Sequence, residues 1–263
     1  KTGQKYVQEF KDNLNVIEKP QITKCKNKPY TSVSFKPDYK RLKIDGLSPD
    51  FIALLKRRVY DIAATTDKSI KVKYNSNSIE VKTFMNYIDL YIGCKSDKER
   101  IYEEANERWE YAVCLAPNDE FCQVSFVNGI YTSKGGKHVE YIVNQIVKKL
   151  TAYIKEKKQI DVKPASIKEQ LMIFVNCTIE NPSFDSQTKD YLNNAVSNFG
   201  SSCEVSSKFI EKLAKMGVMT LACNLTEVKE NKAAKKNDGT KCKNWFSKRL
   251  QILGSTKNRS HWR

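Results

Sequence analysis

Val139-Glu-Tyr-Ile-Val-Asn-Gln-Ile-Val-Lys-Lys-Leu-Thr-Ala-Tyr-Ile154 is the stretch that decides the fold class. Val139, Ile142, Val143, Ile146, Val147, Leu150 and Ile154 recur at steps that keep them on one side of an α-helix. The spacing predicts a long helix with a single apolar stripe, a core face rather than a cofactor box. Downstream, Leu171-Met-Ile-Phe-Val-Asn-Cys-Thr-Ile179 is an unbroken apolar run, which suits a strand covered on both faces. Upstream, Trp109–Cys114 and Cys122–Ile130 read as two strands partnered through the turn Ala116-Pro-Asn-Asp119. Strands and helices alternating in this way predict an α+β or α/β class.

The remainder is built outward from there. Residues 5–11 and 16–23 read as short extended pieces, and Tyr30-Thr-Ser-Val-Ser-Phe35 alternates like a strand. Ser48-Pro49-Asp50 opens a helix with a hydroxyl cap, proline in the first turn and an acid at the positive end. Phe51, Leu54, Leu55, Val59 and Ile62 follow at helical spacing. Ser69–Lys82 predicts a hairpin around Asn75-Ser-Asn77, and a short amphipathic helix is expected near Phe84–Ile92. The character changes after Gly93, so a domain boundary is placed near residues 85–95. Another helix starts at about Ser206, and the Lys-rich segment from 231 onward is expected to be poorly ordered.

The 263 residues carry 46 Lys and Arg against 30 Asp and Glu, a net charge of +16. From Glu227 to Arg263 there are 11 basic and 3 acidic residues, and from Lys134 to Lys163 there are 8 Lys against 3 acids. Two basic zones favour a polyanionic partner, nucleic acid first, although a lysine run also suits a solvated face. No apolar run is long enough to span a membrane, so no membrane partner is expected. The first residues lack both an initiator Met and an apolar signal core, and suggest a piece of a longer protein. Eight scattered cysteines without a C-x-x-C pair, and only His138 and His261, argue against zinc and against any metal site. Two histidines also leave no Ser–His–Asp or Cys–His set to argue for.

Three features remain as candidates. Lys134-Gly-Gly-Lys137 precedes a helix and suits either an anion cradle or a plain tight turn. Lys189, with Ser186, Gln187 and Thr188, lies in a polar loop after the buried strand and is placed to deliver a charge to a phosphate. Lys155, Lys157 and Lys158 end the long helix, where cations complement the helix dipole and, beside DNA, would contact phosphates without reading sequence.

At Cys122-Gln-Val-Ser-Phe-Val-Asn-Gly-Ile-Tyr-Thr-Ser-Lys-Gly-Gly-Lys-His-Val139 the chain resembles the type IIA DNA topoisomerases of eukaryotic type, whose transducer carries S-F-V-N-x-I-x-T-x-K-G-G-x-H-V. Ile173-Phe-Val-Asn-Cys-Thr-Ile-Glu-Asn-Pro-Ser-Phe-Asp-Ser-Gln-Thr-Lys189 is similar to the same family's strand and Q-T-K loop. Phe199-Gly-Ser-Ser-Cys203 and Tyr30-Thr-Ser-Val-Ser-Phe-Lys-Pro-Asp38 match in the expected order. The resemblance covers roughly residues 5–225. It implies an α+β layout: residues 1–85 as the C-terminal part of a GHKL-type ATPase domain, 86–225 as a transducer with a left-handed β-α-β crossover, and 226–263 as a divergent basic tail.

The resemblance further implies ATP as ligand, with Gln187, Thr188 and Lys189 at the γ-phosphate and Thr31 supporting the adenine site. Lys155, Lys157 and Lys158 would face double-stranded DNA, although Glu156 interrupts the family's lysine run. The whole protein would act as a homodimer in the nucleus, or in a viral factory or the cytoplasm if viral. The family's catalytic Glu, its Asn ligand to Mg2+ and the glycine-rich lid would lie before residue 1, and the DNA-cleaving tyrosine beyond residue 263. The isolated chain is therefore expected neither to hydrolyse ATP nor to cleave DNA. A stand-alone basic DNA-binding or interfering module is the alternative reading.

Overall fold

The computed structural model describes residues 2–226. Packing divides the chain into two units, Lys1–Lys56 and Arg57 onward. In the first, β1 (Gln4–Val7) pairs antiparallel with β4 (Gln21–Lys24), and β2 (Phe10–Lys11) with β3 (Val16–Ile17). A single turn of helix, α1 (Tyr39–Leu42), follows. Tyr30–Phe35 is not a strand, contrary to its alternation. It pairs with no neighbour among the described residues, Val33 and Phe35 stay exposed, and an unpaired extended segment gains no ladder to hold it.

Helix α2 (Pro49–Thr65) begins as its sequence dictates, with the Phe51 N–H donating to Ser48 Oγ at 3.1 Å. Its buried face differs from the expected one. Phe51, Leu54, Leu55 and Ile62 are exposed, while Asp61, Ala63 and Ala64 are buried. The hairpin is present but short: β5 (Lys73–Tyr74) and β6 (Asn77–Ser78) flank a turn with positive φ at Asn75 and Ser76. Helix α3 (Phe84–Ile92) lies where periodicity puts it, capped by Thr83 Oγ1, which accepts from the Asn86 N–H.

The main sheet holds β7 (Ile101–Asn106), β8 (Trp109–Leu115), β9 (Cys122–Val127), β10 (Ile130–Tyr131) and β12 (Leu171–Cys177). Between the last two come β11 (Gly135–Gly136), α4 (Lys137–Lys158) and α5 (Pro164–Lys168). Strand order is β10-β9-β12-β8-β7, so β8 and β9 do not pair with each other. Strand β12 inserts between them, antiparallel to β8 (Ile173 opposite Val113) and parallel to β9 (Ile173 opposite Gln123). Only a strand apolar on both faces tolerates that central place, and the 171–177 run supplies it.

Each face of β12 feeds a separate core. Leu171, Ile173, Val175 and Cys177 join the α4 stripe, whose seven expected residues are all buried. Met172 and Phe174 meet Phe84, Tyr87 and Ile88 of α3. A fully buried Ile or Leu contributes roughly 2 kcal/mol, so the stripe is a substantial part of the hydrophobic stabilisation on that side. Strand β13 (Tyr191–Leu192), a 3-10 turn at Val196–Asn198 and α6 (Ser207–Leu213), capped by Ser206 Oγ, come next, and a π-helical stretch at Ala214–Val218 continues α6. The class is α+β, as expected, and no described helix is long and apolar enough to cross a membrane.

Candidate functional site

The Thr132–His138 turn and the 180–192 loop, far apart in sequence, form one structure. Strand β11 pairs in parallel with β13, Gly135 opposite Tyr191 and Gly136 opposite Leu192. Gly136 has φ of 142°, and a Cβ there would lie 2.5 Å from the Leu192 nitrogen and 2.7 Å from its oxygen. Backbone therefore meets backbone at a separation that only glycine permits. The Lys134 N–H donates to the Asp190 carbonyl at 3.0 Å, and the Gly135 N–H to the Thr132 carbonyl at 3.0 Å.

Asp190 gathers the loop. Its carboxylate accepts from Thr188 Oγ1 at 2.7 Å and from Ser133 Oγ at 2.8 Å. Those two hydrogen bonds, Thr188's first, hold its pKa below the ordinary value. Asp185 accepts from the Tyr191 N–H at 3.2 Å, and its own N–H donates to the Tyr191 carbonyl at 3.1 Å. The turn closes with the Lys189 N–H donating to the Ser186 carbonyl at 3.1 Å.

Lys189 sits in this turn with φ of 61°, a left-handed conformation that costs a non-glycine residue about 1 kcal/mol. Its ammonium lies 6.0 Å from the Phe184 ring centroid, and among the described residues no carboxylate is within 4 Å of it. Lys134, by contrast, faces Asp185 at 4.0 Å, and Lys137 pairs with Glu140 at 2.8 Å. Glu140 also accepts from Tyr191 Oη at 2.9 Å and is the acid in the first turn of α4. The Lys134–Lys137 turn is therefore occupied by its own carboxylates and backbone: it is a docking turn, not an open anion cradle. Lys189 is the uncommitted cation that this scaffold presents.

The other expected residues fall as follows. Gln187 and Thr188 are exposed beside Lys189, with the Thr188 hydroxyl engaged by Asp190 and by Ser186 Oγ at 2.8 Å. Thr31 lies in the first unit, exposed, in a run without helix or strand. Lys155, Lys157 and Lys158 end α4, where Lys155 pairs with Asp161 at 2.9 Å and Lys157 with Glu156 at 3.3 Å. Both pairs are exposed and contribute little stability. Asp190, Ser133, Asp185 and Glu140 were missed by sequence reasoning, because no periodicity or motif marks a carboxylate that organises a loop. Behind the turn His138 is fully buried, with Nε2 3.2 Å from Thr132 Oγ1. Burial pushes its pKa down to about 3, so it is neutral.

No group of three His, Cys, Asp or Glu able to hold a metal occurs among the described residues. They do not fit a magnesium site. The basic tail from residue 227, with half of the chain's net charge of +16, lies outside the described residues.

The family model described as DNA gyrase B matches residues 55–241. The chain is 44% identical over 245 residues to DNA topoisomerase 2 of Arabidopsis thaliana, an alignment covering 90% of this chain and 17% of that protein. It therefore spans about a sixth of the length of that relative. Among solved structures, the ATPase region of Saccharomyces cerevisiae topoisomerase II superposes with a TM-score of 0.75 at 40% identity, covering 84% of this chain and 57% of that one. The ATPase and transducer domains of DNA topoisomerase II from Balamuthia mandrillaris give 0.78 at 32% identity, covering 87% and 59%.

Proposed function

The chain belongs to the type IIA DNA topoisomerase family, and on that premise we propose that it carries the phosphate-sensing part of an ATP-operated DNA gate. The observation that carries this reading is Lys189: a cation without a carboxylate partner, held in a left-handed turn, on a loop pinned to the Lys134–Lys137 turn. A positioned lysine of this kind stabilises charge on a transferring phosphoryl group. Gln187 and Thr188 flank it and would complete the contact to the γ-phosphate of ATP, with Thr31 supporting the adenine end. Residues 1–85 serve as ATPase remainder and 86–225 as transducer.

In the whole protein, ATP would close a homodimeric gate so that one DNA duplex passes through a break in another. Lys155, Lys157 and Lys158 would contact phosphates of double-stranded DNA in the nucleus, or in a viral factory or the cytoplasm if the protein is viral. ATP hydrolysis needs Mg2+, and no group of three side chains able to hold a metal occurs among the described residues. The chain alone is expected neither to hydrolyse ATP nor to cleave DNA. Magnesium-dependent phosphate release that Lys189→Ala abolishes would overturn that statement.

The direct test is NMR of the 13C-methylated lysines of the full chain during titration with ATP and with AMP. The Lys189 signal, assigned by its loss in Lys189→Ala, is expected to move with ATP and not with AMP, which has no γ-phosphate. Equal shifts with both nucleotides, or none with either, would refute the sensor reading.

A further inference from the structure

Two arginines that the phosphate-sensing scheme does not use converge on the strand that feeds the docking turn. Arg57 and Arg58 lie on the C-terminal half of α2, with their guanidinium carbons 4.4 Å and 5.2 Å from the ring centroid of Tyr131. Tyr131 ends β10, and the next residue begins the turn through Gly136 that pairs with β13. Neither arginine is free to swing. Arg57 donates to Tyr91 Oη at 2.9 Å, and Arg58 to the buried carboxylate of Asp61 at 3.1 Å. Asp61 also accepts from Tyr87 Oη at 2.5 Å, and the Tyr87 and Tyr91 hydroxyls are 3.0 Å apart. Burial and the adjacent Asp61 push the Tyr87 phenol well up, so it remains a proton donor to that carboxylate.

We infer that Arg57 and Arg58 are positioning residues for the Lys189 loop, acting through the Tyr131 ring and the turn behind it. A guanidinium over an aromatic face is held by both charge and planar stacking, and a lysine ammonium reproduces only the first. Two guanidiniums over one ring hold Tyr131 in place, and with it the path of Thr132 and Ser133. Ser133 Oγ donates to Asp190, which also accepts from Thr188, the residue between Gln187 and Lys189. The chain of contacts is thus Arg57/Arg58, Tyr131, Ser133, Asp190, loop. Arg58 also contributes to lowering the pKa of Asp190, which places its positive charge within reach of that carboxylate's field. This inference rests on the sensor reading for its meaning, since the loop is what it positions.

Amide hydrogen exchange of the full chain tests it. In the double variant Arg57→Lys/Arg58→Lys, both charges persist and the stack is lost. Exchange at Lys189–Leu192 is expected to accelerate about tenfold while β12 amides keep their protection. Tyr131→Phe, which keeps an aromatic face, should leave the loop unchanged, and Tyr131→Leu should reproduce the acceleration. A purely structural role for the arginines would raise exchange in α2 and α3 and leave the loop at its wild-type rate; that result would overturn the inference. The sensor reading fails by a different outcome, namely absence of an ATP-specific shift at Lys189 in the wild-type chain. The ATP titration and the exchange experiment therefore fail separately.

Discussion

Acidification should destabilise the α4 core through one residue, His138. Its ring is fully buried, Nε2 faces Thr132 Oγ1 at 3.2 Å, and Nδ1 has no partner. Burial, only partly opposed by Glu140, moves its pKa from the ordinary 6.5 to about 3. Between those values the unfolded chain binds a proton that the folded chain refuses. Stability is then unaffected above about pH 6.5 and falls as pH drops below it, by at most ~1.4 kcal/mol per pH unit. At about pH 5 the loss attributable to His138 is ~2 kcal/mol, a large share of a typical domain's stability. His138→Gln retains an amide near the Nε2 position for Thr132 and cannot take up a proton. Urea denaturation of both proteins at about pH 7.5 and pH 5 isolates the effect, because the two differ only at this residue. The wild type should lose ~2 kcal/mol more than the variant between the two conditions. Parallel losses would refute the argument that this imidazole is buried and neutral.

Two further predictions concern the docking turn and the loop it holds. Gly136→Ala brings a Cβ to 2.5 Å from the Leu192 nitrogen and should cost about 3 kcal/mol or more, whereas Gly135→Ala, whose nearest contact is a side chain at 3.5 Å, should cost about 1 kcal/mol. Urea midpoints for the pair decide it, and equal costs would mean that β11 and β13 are not in register. At Lys189, with φ of 61°, glycine should be more stable than alanine by about 1 kcal/mol, because only alanine keeps the left-handed strain. An alanine variant as stable as the glycine variant in the same assay would show that the turn is not strained.

Legibility in the sequence followed the range of the interactions. Helices α3 and α4 were read correctly because their periodicity is local, and every residue of the α4 stripe is buried. Strand pairing was misread at β8 and β9, because nothing near Trp109–Val127 announces that residues 171–177 will come between them. Strand β7 went unseen since Ile101-Tyr-Glu-Glu-Ala-Asn106 is a polar edge strand without a continuous apolar face. The outer face of α2 was overvalued for the opposite reason: it is periodic, yet Phe51 and Leu54 are exposed. In the site, the 186–189 loop is marked by its polar residues after a buried strand, and only the γ-phosphate role of Gln187 and Lys189 comes through resemblance. Asp190 and Gly136, which hold Lys189 in place, depend on contacts between blocks some fifty residues apart, and no local pattern encodes them.

The central seat of β12 also governs how the chain must be assembled. Met172 lies opposite both Cys114 and Cys122, so the sheet closes only after α4 and α5 have been made and have brought residue 171 back. During synthesis the β7–β8 hairpin and the β9–β10 hairpin wait with bare inner edges, each a template for another nascent chain. Helix α4, whose stability is local, is then the element that shelters one face of both until the last strand arrives. High contact order of this kind makes refolding slow and concentration-sensitive, and any early stop before Leu171 would release two sticky hairpins instead of a smaller sheet.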